Sequence, residues 1–461
     1  MRKHATILFI LAVLLIAGYF GVAKYYENGY CFGTWINDHY VTGLTVSQVN
    51  EMLLQETPEY DLSLRFTEGD ALIKGDAIGL TVDYRKQLSN VKQMNQDSLL
   101  WGRNLLFPEK YVVYPEFSFD EEALTSSYNA LPQVQNGRRQ REEAVTISIG
   151  NHGYELYDPH LHVLKAEDGL ERIKQRILSG NMELDLDSED LYEDTPYSEE
   201  EKDLLTLFDK IDTFQNTGIT YDMGDEQVVL DGAVTADFIT LNDDGGVLLG
   251  NDGKPVLNEE AVDAFIDRLC ENFNTLGKER IFTATDGEVV TIEGGTYGNE
   301  IDAKAEKIYL KNALKEHIRE THVPEYKQEA FVRGKNDILD SYIEIDLTDQ
   351  MMYLYLNGEK KIETPIVTGN LARKNDTPEG VDYIYYKQKN RTLRGPNYTS
   401  FVYYWMAIIK HIGIHDATWR SEFGGDIYKT QGSHGCINTP KEIMSELYDM
   451  VDVGFPVVLF Y

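Results

Sequence analysis

The sequence predicts a multidomain protein with an N-terminal transmembrane helix, α+β repeat modules and a separate C-terminal domain that bears the chemistry. Three observations predict it. Residues 5–22 form an uncharged apolar stretch. The order helix, β-hairpin, helix occurs twice between residues 116 and 335. Close to the C-terminus, Ser433-His434-Gly435-Cys436-Ile437-Asn438 follows His415, gathering one thiol and two imidazoles in a short span. At 461 residues the chain has room for two to four domains.

The apolar stretch is eighteen residues long, close to the minimum for crossing a bilayer core. Arg2 and Lys3 precede it, so the positive-inside bias keeps the N-terminus cytoplasmic and exports the rest of the chain. A cleavable signal peptide is the competing reading. Its apolar region is normally shorter, and Gly21-Val22-Ala23 is a modest cleavage site, so residues 1–25 are taken as a cytoplasmic tip and an uncleaved anchor. The expected location is the cell membrane, single-pass, with the remainder outside the cytoplasm.

Residues 30–115 read as a small α+β domain. Ser47 is the expected cap of a helix through Val49 and Leu53, and Asp61-Leu62-Ser63-Leu64-Arg65-Phe66 alternates as a strand does. Two modules follow, 116–205 and 206–335. In each, an Asx-capped helix start (Asp120, Asn258) leads to a β-run (from Val145, from Val290), a tyrosine turn (Tyr154, Tyr297) and an amphipathic helix (169–178, 305–318). The first module ends in an acidic run, residues 183–203, read as a linker or solvated loop. Asp185, Asp187, Asp190 and Asp194 lie in it without an EF-hand glycine, so calcium is not expected.

Charge is unevenly spread. Residues 341–461 hold 12 Lys and Arg against 15 Asp and Glu, so −31 of the net −34 lies in residues 1–340. Such a field repels phosphate backbones and argues against a nucleic-acid partner. Three widely spaced cysteines, Cys31, Cys270 and Cys436, do not make a disulfide scaffold. Cys270 shares helical spacing with Val262 and Ile266 and is expected in a core, while Cys31 falls just outside the apolar stretch.

Cys436 differs from both. A thiol is a strong nucleophile as thiolate, and a nearby imidazole is the usual device for producing one. Gly435 permits close backbone approach, and the N–H groups of Gly435 and Cys436 are candidate donors to an oxyanion. His415 lies in His411-Ile412-Gly413-Ile414-His415, whose alternation reads as a strand. Ile412 and Ile414 face a core, and His411, Gly413 and His415 face a cleft. His415 is the candidate base and His411 a structural residue. Zinc bound by His411, His415, His434 and Cys436 is not expected, because His434 and Cys436 are two positions apart and no second cysteine pair exists. No nucleotide, flavin or NAD motif is visible, so no cofactor is expected.

The motif resembles that of the L,D-transpeptidases of the YkuD type. The likeness continues upstream in Tyr342-Ile343-Glu344-Ile345-Asp346-Leu347, Met352-Tyr353-Leu354-Tyr355 with Asn357-Gly358, Thr364-Pro365-Ile366-Val367-Thr368-Gly369, and Asp376-Thr377-Pro378-Glu379-Gly380. It implies that residues 340–461 form a mostly-β, sandwich-like catalytic domain. It implies Cys436 as nucleophile, His415 as proton acceptor and donor, the Asp416 backbone carbonyl orienting His415, and His434 shaping the thiol site. Trp419, Ser433 and Asn438 match cleft-lining, substrate-binding positions. Asn438 stands where many relatives have arginine, which narrows the subgroup. The implied reaction is ping-pong, releasing D-Ala from a tetrapeptide stem and passing the acyl group to an amine on a neighbouring stem as a 3→3 crosslink, with carbapenem β-lactams as inhibitors. An L,D-carboxypeptidase using water, and a non-catalytic wall-binding scaffold, are the alternatives. The upstream modules resemble peptidoglycan-binding domains found before such enzymes.

Overall fold

A computed structural model of the chain describes residues 2–95, 97–395 and 398–461; Met1, the first residue of the expected cytoplasmic tip, lies outside them. The chain forms two compact units, Met1–Thr146 with Leu156–Leu205 and Ile147–Glu155 with Thr206–Tyr461.

The first unit opens with the helix Arg2–Tyr25, whose apolar side chains from Ile7 to Ile16 are exposed. Next comes a small core of Tyr30, Ile36, Val41, Val49, Leu53 and Leu88, built by the helices Val46–Glu56 and Arg85–Asn95. The first helix begins two residues earlier than expected. Its cap is Thr45 rather than Ser47: the Thr45 hydroxyl accepts from the Gln48 amide and the Gln48 side chain accepts from the Thr45 amide, completing a capping box.

A second core joins Leu62, Leu64 and Phe66 to Leu124, Tyr128 and Ile173. A boundary at residue 115 therefore cuts through packed side chains: the strands Leu62–Phe66 and Gly69–Ile73 belong with the helices after residue 116. The acidic run is also corrected. Glu183–Asp185 pairs in parallel with Leu62–Phe66, and Leu184, Leu186, Leu191 and Tyr192 are buried. Met182-Glu183-Leu184-Asp185-Leu186-Asp187 has a period of two, which buries one face and solvates the other. The density of carboxylates masked that strand signal.

The second unit repeats this topology. Ile219–Asp222 pairs antiparallel with Gln227–Val229 and in parallel with Glu320–His322, just as Leu62–Phe66 pairs with Gly69–Ile73 and with Glu183–Asp185. In each case an amphipathic helix, Ala166–Leu178 or Ala303–Glu316, leads into the parallel strand. The expected caps Asp120 and Asn258 accept hydrogen bonds from the amides of Glu122 and Ala123, and of Ala261. Cys270 is buried among Val262, Ile266 and Leu310.

The C-terminal domain has two sheets over one core. Its five-stranded sheet runs, in spatial order, Glu359–Pro365, Met351–Leu356, Tyr342–Asp346, Pro456–Phe460, Gly380–Tyr383; the four-stranded sheet runs Tyr386–Gly395, Tyr398–Ile409, Ile412–Asp416, Ile437–Thr439. Ile343, Ile345 and Leu459 of the first meet Met406, Ile414 and Ile437 of the second, with Met444 and Leu447 of the helix Lys441–Met450 beside them. Asn357 and Gly358 take φ of 52° and 75°, the backbone a two-residue hairpin needs to follow strand twist.

Candidate active site

The strand Ile412–Asp416 is buried on both sides, and its alternation sorts the site. Ile412 and Ile414 enter the sandwich core, while His415 pairs across the sheet with Trp405, ring centroids 5.7 Å apart. Gly413 lies between them on that face. A Cβ there would come within 2.4 Å of the Met406 carbonyl and 2.8 Å of the Trp405 indole, so only glycine lets the indole lie against the strand. His411 precedes the strand and is exposed.

The loop 433–438 is held by the segment 366–370. Val367 and Asn438 exchange backbone hydrogen bonds at 3.0 and 2.9 Å, the Ser433 amide donates to the Thr368 carbonyl at 2.9 Å, and the Asn370 amide donates to the Ser433 carbonyl at 3.1 Å. Thr377 locks the arrangement: its hydroxyl donates to the Gly435 carbonyl at 2.8 Å and accepts from the Gly369 amide at 3.0 Å. This explains physically why the Thr-Gly and Thr-Pro segments accompany the thiol motif. Gly435 has φ +111°, a conformation that favours glycine. Ser433 staples the turn, its hydroxyl donating to the Cys436 carbonyl at 2.6 Å and accepting from the Gly435 amide at 3.0 Å. Thr377→Val should leave two buried backbone groups unpaired and destabilise the domain by about 1–3 kcal/mol, measured by denaturant unfolding. An unchanged midpoint would mean that the hydroxyl has no such role.

Around the imidazole the protonation state is legible. Nδ1 lies 2.8 Å from the Asp416 carbonyl, which can only accept, so Nδ1 carries the proton and Nε2 is left with a lone pair. Nε2 meets the Asn438 Nδ2 at 3.3 Å. The amide's orientation is set from its other end, where Arg420 Nε donates to Asn438 Oδ1 at 2.8 Å; Arg420 Nη2 donates to the Gln431 carbonyl at 2.8 Å. Burial drives the His415 pKa below the ordinary histidine value, opposed by its bond to the Asp416 carbonyl.

The Cys436 thiol is buried as well and donates to the His411 carbonyl at 3.7 Å. Burial pushes its pKa up to about 11, against a lowering contribution from the Gly413 backbone. Desolvation acts on both groups in the sense that favours neutral thiol and neutral imidazole. In this geometry the thiol's hydrogen-bond partner is the residue 411 carbonyl, and burial favours the neutral form of both groups.

The expected residues do converge. His415, Trp419, Ser433, His434, Cys436 and Asn438 line one cleft of about 190 Å³, and Asp416 sits directly behind His415. Trp419 is half exposed, its ring 5.9 Å from that of His415. His434 stacks on Tyr398, centroids 4.6 Å apart. Sequence reasoning missed Arg420, Tyr398 and Leu393, which also line the cleft. Arg420 directly follows Trp419 and was within reach of inference, whereas Leu393 and Tyr398 arrive through a hairpin whose register no local pattern reveals. Among the described residues, no group of three His, Cys, Asp or Glu side chains is disposed to hold a metal ion.

Known sequences bear on this cleft. The sequence model of the L,D-transpeptidase catalytic domain (YkuD) matches residues 340–459, and that of a "Putative peptidoglycan binding domain" matches residues 238–322. No curated protein matches. Among solved structures, a cysteine-to-serine mutant of the Enterococcus faecium L,D-transpeptidase is 35% identical, the match covering 55% of this chain and 99% of that one, with a TM-score of 0.48. The E. faecium catalytic domain acylated by ertapenem is 48% identical over 26% of this chain and 97% of its own, with a TM-score of 0.25. An L,D-transpeptidase from Mycobacterium smegmatis is 22% identical over 26% of this chain and 59% of its own, with a TM-score of 0.24.

Proposed function

The chain belongs to the L,D-transpeptidase family, and on that premise we propose that it is a membrane-anchored enzyme forming 3→3 crosslinks between peptidoglycan stems. The observation that carries this reading is the meeting in one cleft of Cys436 and an imidazole whose Nε2 bears a lone pair, in contact with Asn438 Nδ2. Cys436 attacks the carbonyl of the third residue of a tetrapeptide stem, and its proton passes to His415 Nε2 as the sulfur–carbon bond forms. Because burial favours the neutral thiol and the neutral imidazole, transfer accompanies attack instead of preceding it in this reading. The carbonyl electrons move to an oxyanion received by the Cys436 amide, joined by the Gly435 amide once that exchanges its bond to Ser433 Oγ. Collapse expels D-Ala, whose amine takes the proton from His415. An acceptor amine then repeats the sequence on the thioester.

The remaining residues have supporting roles in this reading. The Asp416 carbonyl keeps the proton on Nδ1, Asn438 steadies Nε2, and Arg420 holds Asn438. His434, fixed against Tyr398, shapes one wall, while Trp419 and Ser433 receive the stem. The helix Arg2–Tyr25 serves as a single-pass anchor with its N-terminus cytoplasmic, and the two modules position the enzyme on the wall.

Incubation with a disaccharide-tetrapeptide tests the reaction: D-Ala release with dimer formation is expected. Tripeptide without dimer would make the enzyme an L,D-carboxypeptidase; no turnover, with Cys436→Ala keeping full cellular effect, would make it a scaffold. A carbapenem should add one adduct to Cys436, readable by mass spectrometry of the digested protein. An adduct on Cys270 instead would refute the assignment.

A further inference from the structure

The first unit presents an apolar segment that its own core does not use. Residues 98–107 read Ser-Leu-Leu-Trp-Gly-Arg-Asn-Leu-Leu-Phe, and most of them form the 3₁₀ stretch Ser98–Leu105. Leu99, Leu100 and Leu105 are each at least half exposed, Leu106 is 78% exposed and Phe107 64%. So many large apolar side chains in ten residues is more than the scatter expected of a solvated surface.

The segment is not a stray loop. Asn104 is buried, and its carbonyl lies so close to Gly33 that a Cβ on that glycine would meet it at 2.8 Å. Its other attachment is to the helix Arg2–Tyr25. Tyr19 Oη donates to the Leu99 carbonyl at 2.6 Å, Trp101 Nε1 donates to the Tyr19 carbonyl at 3.1 Å, and the two rings lie 5.1 Å apart. Gly102 packs against the Tyr19 ring, which a Cβ would approach to 3.1 Å.

That attachment fixes a depth. A 24-residue helix is ~36 Å long, enough to cross the ~30 Å hydrocarbon layer. Tyr19 lies three residues before Val22, where the uncharged stretch ends, so it sits about 4.5 Å inside that end. This is the level of interfacial tyrosine and tryptophan belts. With Arg103 the one charged residue among the ten, the composition suits the boundary between headgroups and acyl chains.

We infer that residues 98–107 are an interfacial membrane element that lies in the outer leaflet beside the anchor, held there by the Tyr19–Trp101 contact. The inference rests on the reading of Arg2–Tyr25 as a membrane span. Its occupant is lipid: the exposed leucines and Phe107 continue the apolar surface of the helix. The element gives the exported part a second attachment and limits its rotation about the anchor. An acidic chain gains little from anionic headgroups, so the attachment is apolar in origin.

The test uses the full chain reconstituted into phosphatidylcholine vesicles brominated on the acyl chains, with tryptophan fluorescence as readout. Vesicle flotation reports the anchor, and bromine quenching reports the segment. The expected result is flotation with quenching that is greater for bromine near the headgroup than deep in the chain, and that largely disappears in Trp101→Phe. A Leu106→Ser/Phe107→Ser variant should float equally and be acylated by a carbapenem at the wild-type rate, but lose at least half of the Trp101 quenching. Flotation with equal quenching in wild type and Trp101→Phe would overturn the inference and leave the anchor standing. Failure to float would remove the anchor and the inference together. Quenching unchanged in the double variant, with detergent-resistant dimers that it abolishes, would assign the surface to self-association.

Discussion

His415→Gln is expected to slow carbapenem acylation of Cys436 by about 10²–10⁴-fold at neutral pH, the usual span for loss of a general base. The magnitude follows from the state of the sulfur. With its pKa pushed up to about 11 by burial, almost none of the thiol is ionised near neutrality, so attack depends on an acceptor for its proton. In the proposed mechanism Nε2 is that acceptor, because Nδ1–H is committed to the Asp416 carbonyl. The pH dependence separates this from a structural effect. The His415 pKa is lowered, so the neutral base persists below the ordinary histidine range. Wild-type acylation should stay level through neutrality and fall only once pH drops below 6.5. In the Gln variant that acid limb should vanish, and the rate should climb about tenfold per pH unit toward about 11 as direct ionisation takes over. A Gln variant whose profile matches the wild type would mean that another group takes the proton.

Asp337→Ala is expected to cost about 3–5 kcal/mol, as loss of one member of a buried ion pair does. Asp337 is 2% exposed; its carboxylate accepts from Arg280 Nη2 at 2.7 Å, Arg280 Nε at 3.2 Å and the Thr275 hydroxyl at 2.6 Å. Removing it strands a guanidinium whose side chain is only 11% exposed. The consequence reaches beyond one contact, because Arg280 opens the strand Arg280–Thr283, whose Phe282 packs with Val381, Val458 and Phe460 of the five-stranded sheet. Thr285 donates from amide and hydroxyl to Glu344 at 2.8 Å each, and Thr296 does the same to Asp382 at 2.9 and 2.6 Å. The second module and the catalytic domain should therefore lose stability together. Calorimetry should show one transition lowered by on the order of 10 °C, and hydrogen exchange should rise on both sides of residue 337. An effect confined to residues 206–335 would mean that the two parts fold independently.

Much of the site was legible because its chemistry is written in contiguous residues. The thiol and its glycine lie side by side, the alternation around His415 assigned Ile412 and Ile414 to the core, and Asp120 and Asn258 announced their helices through cap chemistry. Such features depend on a few neighbouring residues and on local backbone geometry, which sequence reports directly. Thr45 in place of Ser47 is an error of the same local kind, resolved by which hydroxyl can be reciprocated by Gln48.

What sequence could not reach was set by distant partners. The strand in the acidic run exists because Leu184 and Leu186 find the hairpin 62–73, more than a hundred residues earlier. Arg420 matters through Asn438, and Thr377 through Gly369 and Gly435, contacts that only folding brings together. The protonation state belongs to this second class. The residue types suggest a thiol and an imidazole as partners, but burial shifts both toward their neutral forms, since the free energy of a charge depends on how much water the fold removes from it. The sequence by itself thus determined which groups are candidates for the chemistry; the tertiary structure alone decided the burial and hydrogen bonds that surround them.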